Sequence, residues 1–128
     1  MANTKEYTKV LKPADRGGHK IVKYYATGSA ALSETITLGN GILDKLVVKM
    51  HLSAASATSE NFTVTLDSTT GAAYDAVLYT KDMDTVADVL VQITDVFAAT
   101  GDKLVFAWAN TDTRTFGMTV ELYMIENL

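Results

Sequence analysis

The stretch Thr115-Phe-Gly-Met-Thr-Val-Glu-Leu-Tyr-Met-Ile125 decides the class of fold. Apolar side chains recur at every second position, as at Phe116, Val120 and Met124, and most of the residues between them are polar. Because successive side chains of a β-strand point to opposite faces, this period of two predicts a strand with one buried face. The same alternation returns along most of the chain, so the sequence predicts an all-β domain.

Eight strands are predicted after residue 19, separated by short polar turns such as Gly39-Asn40-Gly41. Strands at this spacing predict an antiparallel, jelly-roll-like β-sandwich, with an immunoglobulin-like sandwich as the alternative. Residues 82–91 also fit one face of a helix, but their β-branched side chains favour a strand. The predicted strands span 19–26, 33–38, 43–52, 61–67, 74–80, 86–93, 103–109 and 115–125.

The chain has 128 residues, enough for one domain with a real core. Residues 1–19 are interpreted as an extended N-terminal arm, because Pro13 disfavours a helix and Gly17-Gly18 loosens the backbone. Residues 20–128 form the predicted sandwich domain. The chain contains no cysteine, so sheet pairing and packing must stabilise it without disulfides. No apolar run is long enough to span a membrane, and the first residues lack the pattern of a signal peptide.

The charges are unevenly distributed along the chain. Residues 1–23 carry six basic and two acidic side chains, and the remainder carries five basic and thirteen acidic ones. A basic arm on an acidic body fits contact with a neighbouring protein subunit, and we do not expect nucleic acid as a partner, since stacking aromatics are scarce. The predicted partner contacts are Lys5, Tyr7, Lys9, Lys12 and Arg16.

No recognisable catalytic or cofactor motif occurs in the sequence. His19 and His51 are far apart and lack partners at metal-ligand spacing, so His51 is interpreted as a solvent-facing or edge histidine. The run 81–88 has three aspartates but lacks the glycine and the glutamate of a calcium loop. Glu34 and Glu121 are the clear mid-strand acids, and the sequence cannot place them opposite each other. We therefore expect no enzyme activity, no cofactor and no metal site.

The aromatic residues leave two kinds of binding surface open. Trp108 and Phe106 alternate on one predicted strand, which favours burial in the core over a role as a ligand platform. The tyrosines supply amphipathic surface that suits either a carbohydrate or a protein partner. They are Tyr24, Tyr25, Tyr74, Tyr79 and Tyr123.

Two segments of the second half resemble small β-sandwich proteins encoded among the structural genes of tailed bacteriophages. They are Glu60-Asn-Phe-Thr-Val-Thr-Leu-Asp-Ser-Thr-Thr-Gly-Ala-Ala-Tyr-Asp75 and Gly101-Asp-Lys-Leu-Val-Phe-Ala-Trp-Ala-Asn-Thr-Asp-Thr-Arg-Thr-Phe-Gly-Met-Thr-Val120. The resemblance covers residues 20–128 and leaves the arm unmatched.

This resemblance implies a non-enzymatic virion structural protein, of the capsid decoration or cement type or a head or tail accessory, made in the host cytoplasm. Its partners would be copies of itself, with a trimer as the first expectation, and the major capsid or other virion proteins. The alternative is a carbohydrate-binding β-sandwich module. Exposure of Trp108 and of several tyrosines on one open face would favour that alternative.

Overall fold

The computed structural model describes the backbone of residues 4–11 and 19–125, and the side chains of residues 20–125. This part of the chain forms nine strands and one 3₁₀ turn, Ala72–Tyr74. None of its residues belongs to a helix with the length and apolarity needed to cross a bilayer. The strands are β1 (Thr4–Leu11), β2 (His19–Gly28), β3 (Leu32–Thr37), β4 (Ile42–Leu52), β5 (Asn61–Asp67), β6 (Ala76–Asp82), β7 (Asp88–Thr94), β8 (Lys103–Trp108) and β9 (Phe116–Ile125).

The strands form two antiparallel sheets whose order identifies a jelly roll. One sheet has the order β1-β2-β9-β4-β7 and the other β3-β8-β5-β6. From the ends of the chain inward, β2 pairs with β9, β3 with β8, β4 with β7 and β5 with β6. This nested pairing is that of a long hairpin folded over on itself, which gives the two Greek keys of a jelly roll. The predicted fold class is confirmed, and the immunoglobulin-like alternative is wrong.

The predicted strands agree with β2–β9 to within two residues at every end. The fifth predicted strand corresponds to β6 and starts at Ala76 rather than residue 74, because residues 72–74 form the 3₁₀ turn. Residues 82–91 do not form a helix, and the strand within them starts only at Asp88. β8 lies inside its sheet, between β3 and β5, and its Val105 and Ala107 are half-buried, since in a two-layer sandwich one face of each sheet meets solvent.

The predicted N-terminal arm contributes a strand to the sandwich. The backbone of β1 pairs with β2 of the same chain, with Lys5 opposite Ala26 and Tyr7 opposite Tyr24. Residues 12–18 lie outside the described part of the chain.

The core lies between the inward faces of the two sheets, as the period of two predicts. Leu46 and Val48 of β4 and Leu122 of β9 meet Phe62 of β5 and Phe106 of β8, and all five are buried. Full burial of such a side chain stabilises the fold by about 1.5–3 kcal/mol. The outward positions of the same strands are therefore free to carry polar groups.

Candidate functional site

The solvent-facing side of the five-stranded sheet carries a connected set of charged and aromatic groups. This outer face is built by alternate residues of β2, β9, β4 and β7, in rows about 7 Å apart on strands about 5 Å apart. The rows are Thr27-Gly117-His51-Asp88, Tyr25-Thr119-Lys49-Leu90, Lys23-Glu121-Val47-Gln92 and Ile21-Tyr123-Lys45-Thr94.

Glu121 occupies the centre of the outer face and is nevertheless only 8% exposed. Its Oε2 lies 3.1 Å from Lys23 Nζ on β2 and 3.7 Å from Lys49 Nζ on β4. The Tyr123 hydroxyl donates to Glu121 Oε1 at 3.4 Å. Because these partners come from three adjacent strands, the sheet register itself fixes the cluster.

The electrostatics of this cluster favour the charged forms of its members. Desolvation raises the pKa of Glu121, but the hydrogen bond from Lys23 and the charges of Lys49 and Lys23 outweigh it, so the pKa lies below its ordinary value. The hydrogen bond to Glu121, and then its charge, raise the pKa of Lys23. Desolvation, followed by the charge of Glu121, raises the pKa of the Tyr123 phenol. Glu121 and Lys23 therefore stay ionised, and Tyr123 stays neutral.

Two tyrosines flank this ionic centre. Lys45 Nζ lies 4.6 Å from the centroid of the Tyr123 ring, a cation–π contact that helps to hold the ring in place. A register shift in β4 between Leu43 and Lys45 brings Lys45 opposite Tyr123. Tyr25, 36% exposed, lies opposite Thr119 on the other side of Glu121. The outer face thus presents two aromatic rings with polar groups fixed between them.

One end of the outer face is hollowed out above Gly117. An open depression of about 450 Å³ lies at this end, and its lining includes Lys49, His51, Asp88, Leu90, Gly117 and Thr119. His51 Nδ1 lies 2.5 Å from Asp88 Oδ1, which joins β4 to β7 along its wall. Gly117 contributes no side chain to its floor, and a Cβ built there would meet no heavy atom within 4 Å.

The remaining aromatic residues lie away from this face. Trp108 is 2% exposed and packs edge-on against Phe116 at 6.1 Å, so its predicted place in the core is confirmed. Tyr79 packs edge-on against Phe62 on the other sheet. Tyr74, at 65% exposure, lies in the 3₁₀ turn between β5 and β6. Among the described tyrosines, the outer face brings together Tyr25 and Tyr123.

The acidic residues singled out by sequence do not assemble a catalytic or calcium-binding arrangement. Glu34 lies on the same face of β3 as the buried Leu32 and Ile36, whereas Glu121 faces outward from the other sheet. Asp82 accepts hydrogen bonds from Ser59 and from the backbone of Asp84. Within residues 20–125, no three histidine or acidic side chains converge as metal ligands would.

The predicted partner-binding residues are not brought into this site. Lys5, Tyr7 and Lys9 lie on β1, where the structure describes the backbone, and Lys12 and Arg16 lie outside the described residues. Their role as contacts stays a prediction. Sequence reasoning identified His51 as exposed, which is confirmed, but missed its bond to Asp88 and the gap above Gly117. Two features of the sequence could have indicated this site, the glycine Gly117 and the acid Glu121, which both lie on the polar face of β9.

Comparison with known proteins finds no matching family model and no matching curated protein. Solved structures give distant similarities. The K1 cleaved adhesin domain of Lys-gingipain from Porphyromonas gingivalis W83 is 14% identical, with 100% of both chains covered and a TM-score of 0.46. TmCBM61 in complex with β-1,4-galactotriose is 9% identical over 97% of this chain and 88% of its own, with a TM-score of 0.46. The family 11 carbohydrate-binding module of a cellulosomal cellulase of Clostridium thermocellum is 15% identical over 100% of this chain and 85% of its own, with a TM-score of 0.37. Similarities this distant carry no argument about function, which must be argued from the side chains of this chain.

Proposed function

We propose that this protein is a non-enzymatic carbohydrate-binding module and that its ligand lies across the outer face. The burial of Glu121 at the centre of a solvent-facing surface carries the proposal. A carboxylate at this position loses much of its hydration, which costs free energy. A threonine would favour the strand conformation without that desolvation cost. Ionisable groups held in this way are enriched at functional sites.

The groups around Glu121 match what a sugar presents. Sugar hydroxyls need fixed donors and acceptors, which Lys23, Lys49 and Glu121 supply as one ion-paired set. Sugar C–H faces need flat apolar surface, which the exposed ring of Tyr25 supplies, whereas Lys45 Nζ lies over the Tyr123 ring. Since the cluster is held by three neighbouring strands, little side-chain freedom would be lost on binding.

Glycan binding by the whole chain tests this proposal directly. The protein would be applied to a glycan microarray and then to soluble β-1,4-galactan, β-1,4-mannan and mixed-linkage β-glucan in affinity electrophoresis. We expect retention by at least one polysaccharide. Tyr25→Ala should weaken it about tenfold, the loss of about 1.4 kcal/mol expected for an aromatic contact.

Tyr74→Ala is the matched control, because Tyr74 is also exposed but lies away from the outer face. It should leave retention within about twofold of the unchanged protein. Absence of binding to every glycan, or equal losses for the two tyrosine variants, would contradict the proposal.

A virion structural role is the second candidate, and an exposed apolar loop supports it. Phe97 is 62% exposed in the loop between β7 and β8, and Ile42 at the start of β4 is 47% exposed. Ile42 forms a β-bridge with Ala99, which holds the two apolar residues on the same end of the sandwich. Exposed apolar groups of this kind favour contact with another protein, here a second copy or a capsid subunit.

The solution mass, measured by light scattering after size exclusion, tests the self-association expected of that role. A trimer or another closed ring that Phe97→Ser converts to monomer would support it. A monomer at all concentrations would contradict self-association and leave the glycan assays to decide the function.

A further inference from the structure

We propose that the depression above Gly117 holds one neutral sugar residue through two adjacent hydroxyl groups, which makes it the end subsite of the outer face. This inference rests on the proposed carbohydrate-binding function and names the class of sugar that the site selects.

The floor of the depression is open because β9 carries a glycine there. Gly117 pairs with Thr27 on one side and His51 on the other, so a gap two strand spacings wide, about 10 Å, separates the nearest outward side chains. A glycine inside a strand weakens the sheet, and it often marks a place where a ligand approaches the backbone closely. Among the described residues, apart from Gly117 and its two chain neighbours, no heavy atom lies within 4 Å of a Cβ built at this position.

The wall formed by His51 and Asp88 offers two adjacent acceptors. Their bond at 2.5 Å uses His51 Nδ1 and Asp88 Oδ1. When a neutral His51 ring donates from Nδ1 to Asp88, its Nε2 and the second carboxylate oxygen of Asp88 are both acceptors. Both side chains are more than 70% exposed and are within reach of a ligand. Two hydroxyl groups on neighbouring carbons can each donate to one of these acceptors.

The other walls supply the remaining contacts of a sugar ring. Leu90 is 74% exposed beside Asp88 and presents an apolar surface to ring C–H groups. Thr119 and Lys49 add donors on the side toward Glu121. An isolated exposed leucine stabilises nothing by itself, so its place beside a hydrogen-bonding pair indicates a ligand with one apolar and one hydroxylated face.

The charges favour a neutral sugar over an acidic one. Asp88 lines the depression with a carboxylate that repels a sugar carboxylate. The ammonium group of Lys49, which could attract one, lies 3.7 Å from Glu121 and is already partnered. Neutral hexose polymers should therefore bind more tightly than polygalacturonate.

Two separate experiments test this inference. One fills the floor of the depression by substitution at Gly117, and the other destroys the vicinal diols of the polysaccharide. Gly117→Val should keep the fold, because its side chain enters open space and valine favours strands. It should weaken binding to the retained neutral polysaccharide at least tenfold. Gly39→Ala is the control, since a Cβ there also meets nothing within 4 Å and Gly39 does not line the depression.

Asp88→Asn should weaken binding to the same polysaccharide about tenfold. Periodate oxidation of the same polysaccharide, which cleaves vicinal diols, should abolish it.

The outcomes separate this inference from the function on which it rests. The subsite would be overturned, and the carbohydrate-binding function would stand, if Tyr25→Ala loses binding and Gly117→Val does not. Full binding to the periodate-treated polysaccharide would have the same consequence. Tighter binding of polygalacturonate than of the neutral polymers would overturn the selection for a neutral sugar. Absence of binding to any glycan would overturn both.

Discussion

The Oδ2 atom of Asp112 lies 2.8 Å from the backbone nitrogen of Ala57, although the two residues are 55 positions apart. The same carboxylate accepts hydrogen bonds from the hydroxyl groups of Ser56 and Thr58. One side chain in the loop between β8 and β9 thus holds the loop between β4 and β5. These loops lie next to the end of the outer face that contains Gly117, since Ser53 N bonds to Thr115 O.

Replacing this carboxylate should lower stability in a pH-dependent way. The backbone hydrogen bond from Ala57, followed by those from Thr58 and Ser56, lowers the pKa of Asp112 below its ordinary value of 3.8. A group with a lowered native pKa stabilises the fold above its unfolded-state pKa, and this stabilisation is lost as the pH falls through the native pKa. Asp112→Ala should therefore lower the thermal midpoint clearly at pH 7, and the difference from the unchanged protein should shrink below pH 3.8.

Thermal unfolding followed by circular dichroism at pH 7 and pH 3 would measure both effects. Asp84→Ala is the control, because Asp84 is an exposed aspartate in a neighbouring loop and its carboxylate has no hydrogen bond among the described residues. Equal midpoints for the two variants at pH 7 would show that Asp112 does not hold the loops.

The two-layer core makes a second, independent prediction. Leu46 and Leu90 lie on adjacent strands, yet Leu46 is fully buried and Leu90 is 74% exposed. Leu46→Ala should lower the free energy of unfolding by about 3 kcal/mol, since it removes buried methyl groups and leaves a cavity. Leu90→Ala should change it by less than about 0.5 kcal/mol. Urea unfolding of both variants would measure the difference, and similar losses would mean that the assigned inner and outer faces are wrong.

The sandwich was predictable from sequence because one buried face imposes a period of two. The alternation through Leu46, Val48 and Met50 identifies both the strand and its inner face without knowledge of its partners. The start of β6 was predicted two residues too early, because the 3₁₀ turn before it depends on a backbone hydrogen bond from Tyr74 N to Gly71 O, which side-chain alternation does not reveal.

The candidate site was not predictable in the same way, because it depends on which strands are neighbours. Glu121 was recognisable as a mid-strand acid, but its contacts with Lys23 and Lys49 require β9 to lie between β2 and β4. His51 and Asp88 are 37 positions apart and meet only through the register of β4 and β7. The local alternation of side chains therefore predicts which face of a strand is buried, whereas the pairing of distant strands determines which side chains meet in a site.

The ion cluster at Glu121 should also contribute to stability with a defined pH dependence. The native pKa of Glu121 is lowered, so its contribution is present above the ordinary value of 4.5 and is lost as the pH falls through the native value. Glu121→Gln keeps the volume and removes the charge, so it should cost about 1 kcal/mol at pH 7 and progressively less as the pH falls below 4.5. Combining it with Lys23→Gln in a double-mutant cycle should give losses that are less than additive. Additive losses would show that Glu121 and Lys23 do not interact.

The exposed loop next to Ile42 should be strained at Phe97, which has φ near 50°. A bulky residue in the left-handed region costs about 1–2 kcal/mol, and glycine avoids that cost. Because Phe97 is 62% exposed, shortening its side chain removes little burial. Phe97→Gly should therefore be more stable than Phe97→Ala by about 1 kcal/mol, in spite of the greater backbone entropy of glycine in the unfolded chain. Urea unfolding of the two variants measures this difference, and an alanine variant at least as stable as the glycine variant would mean that the backbone at this position is not strained.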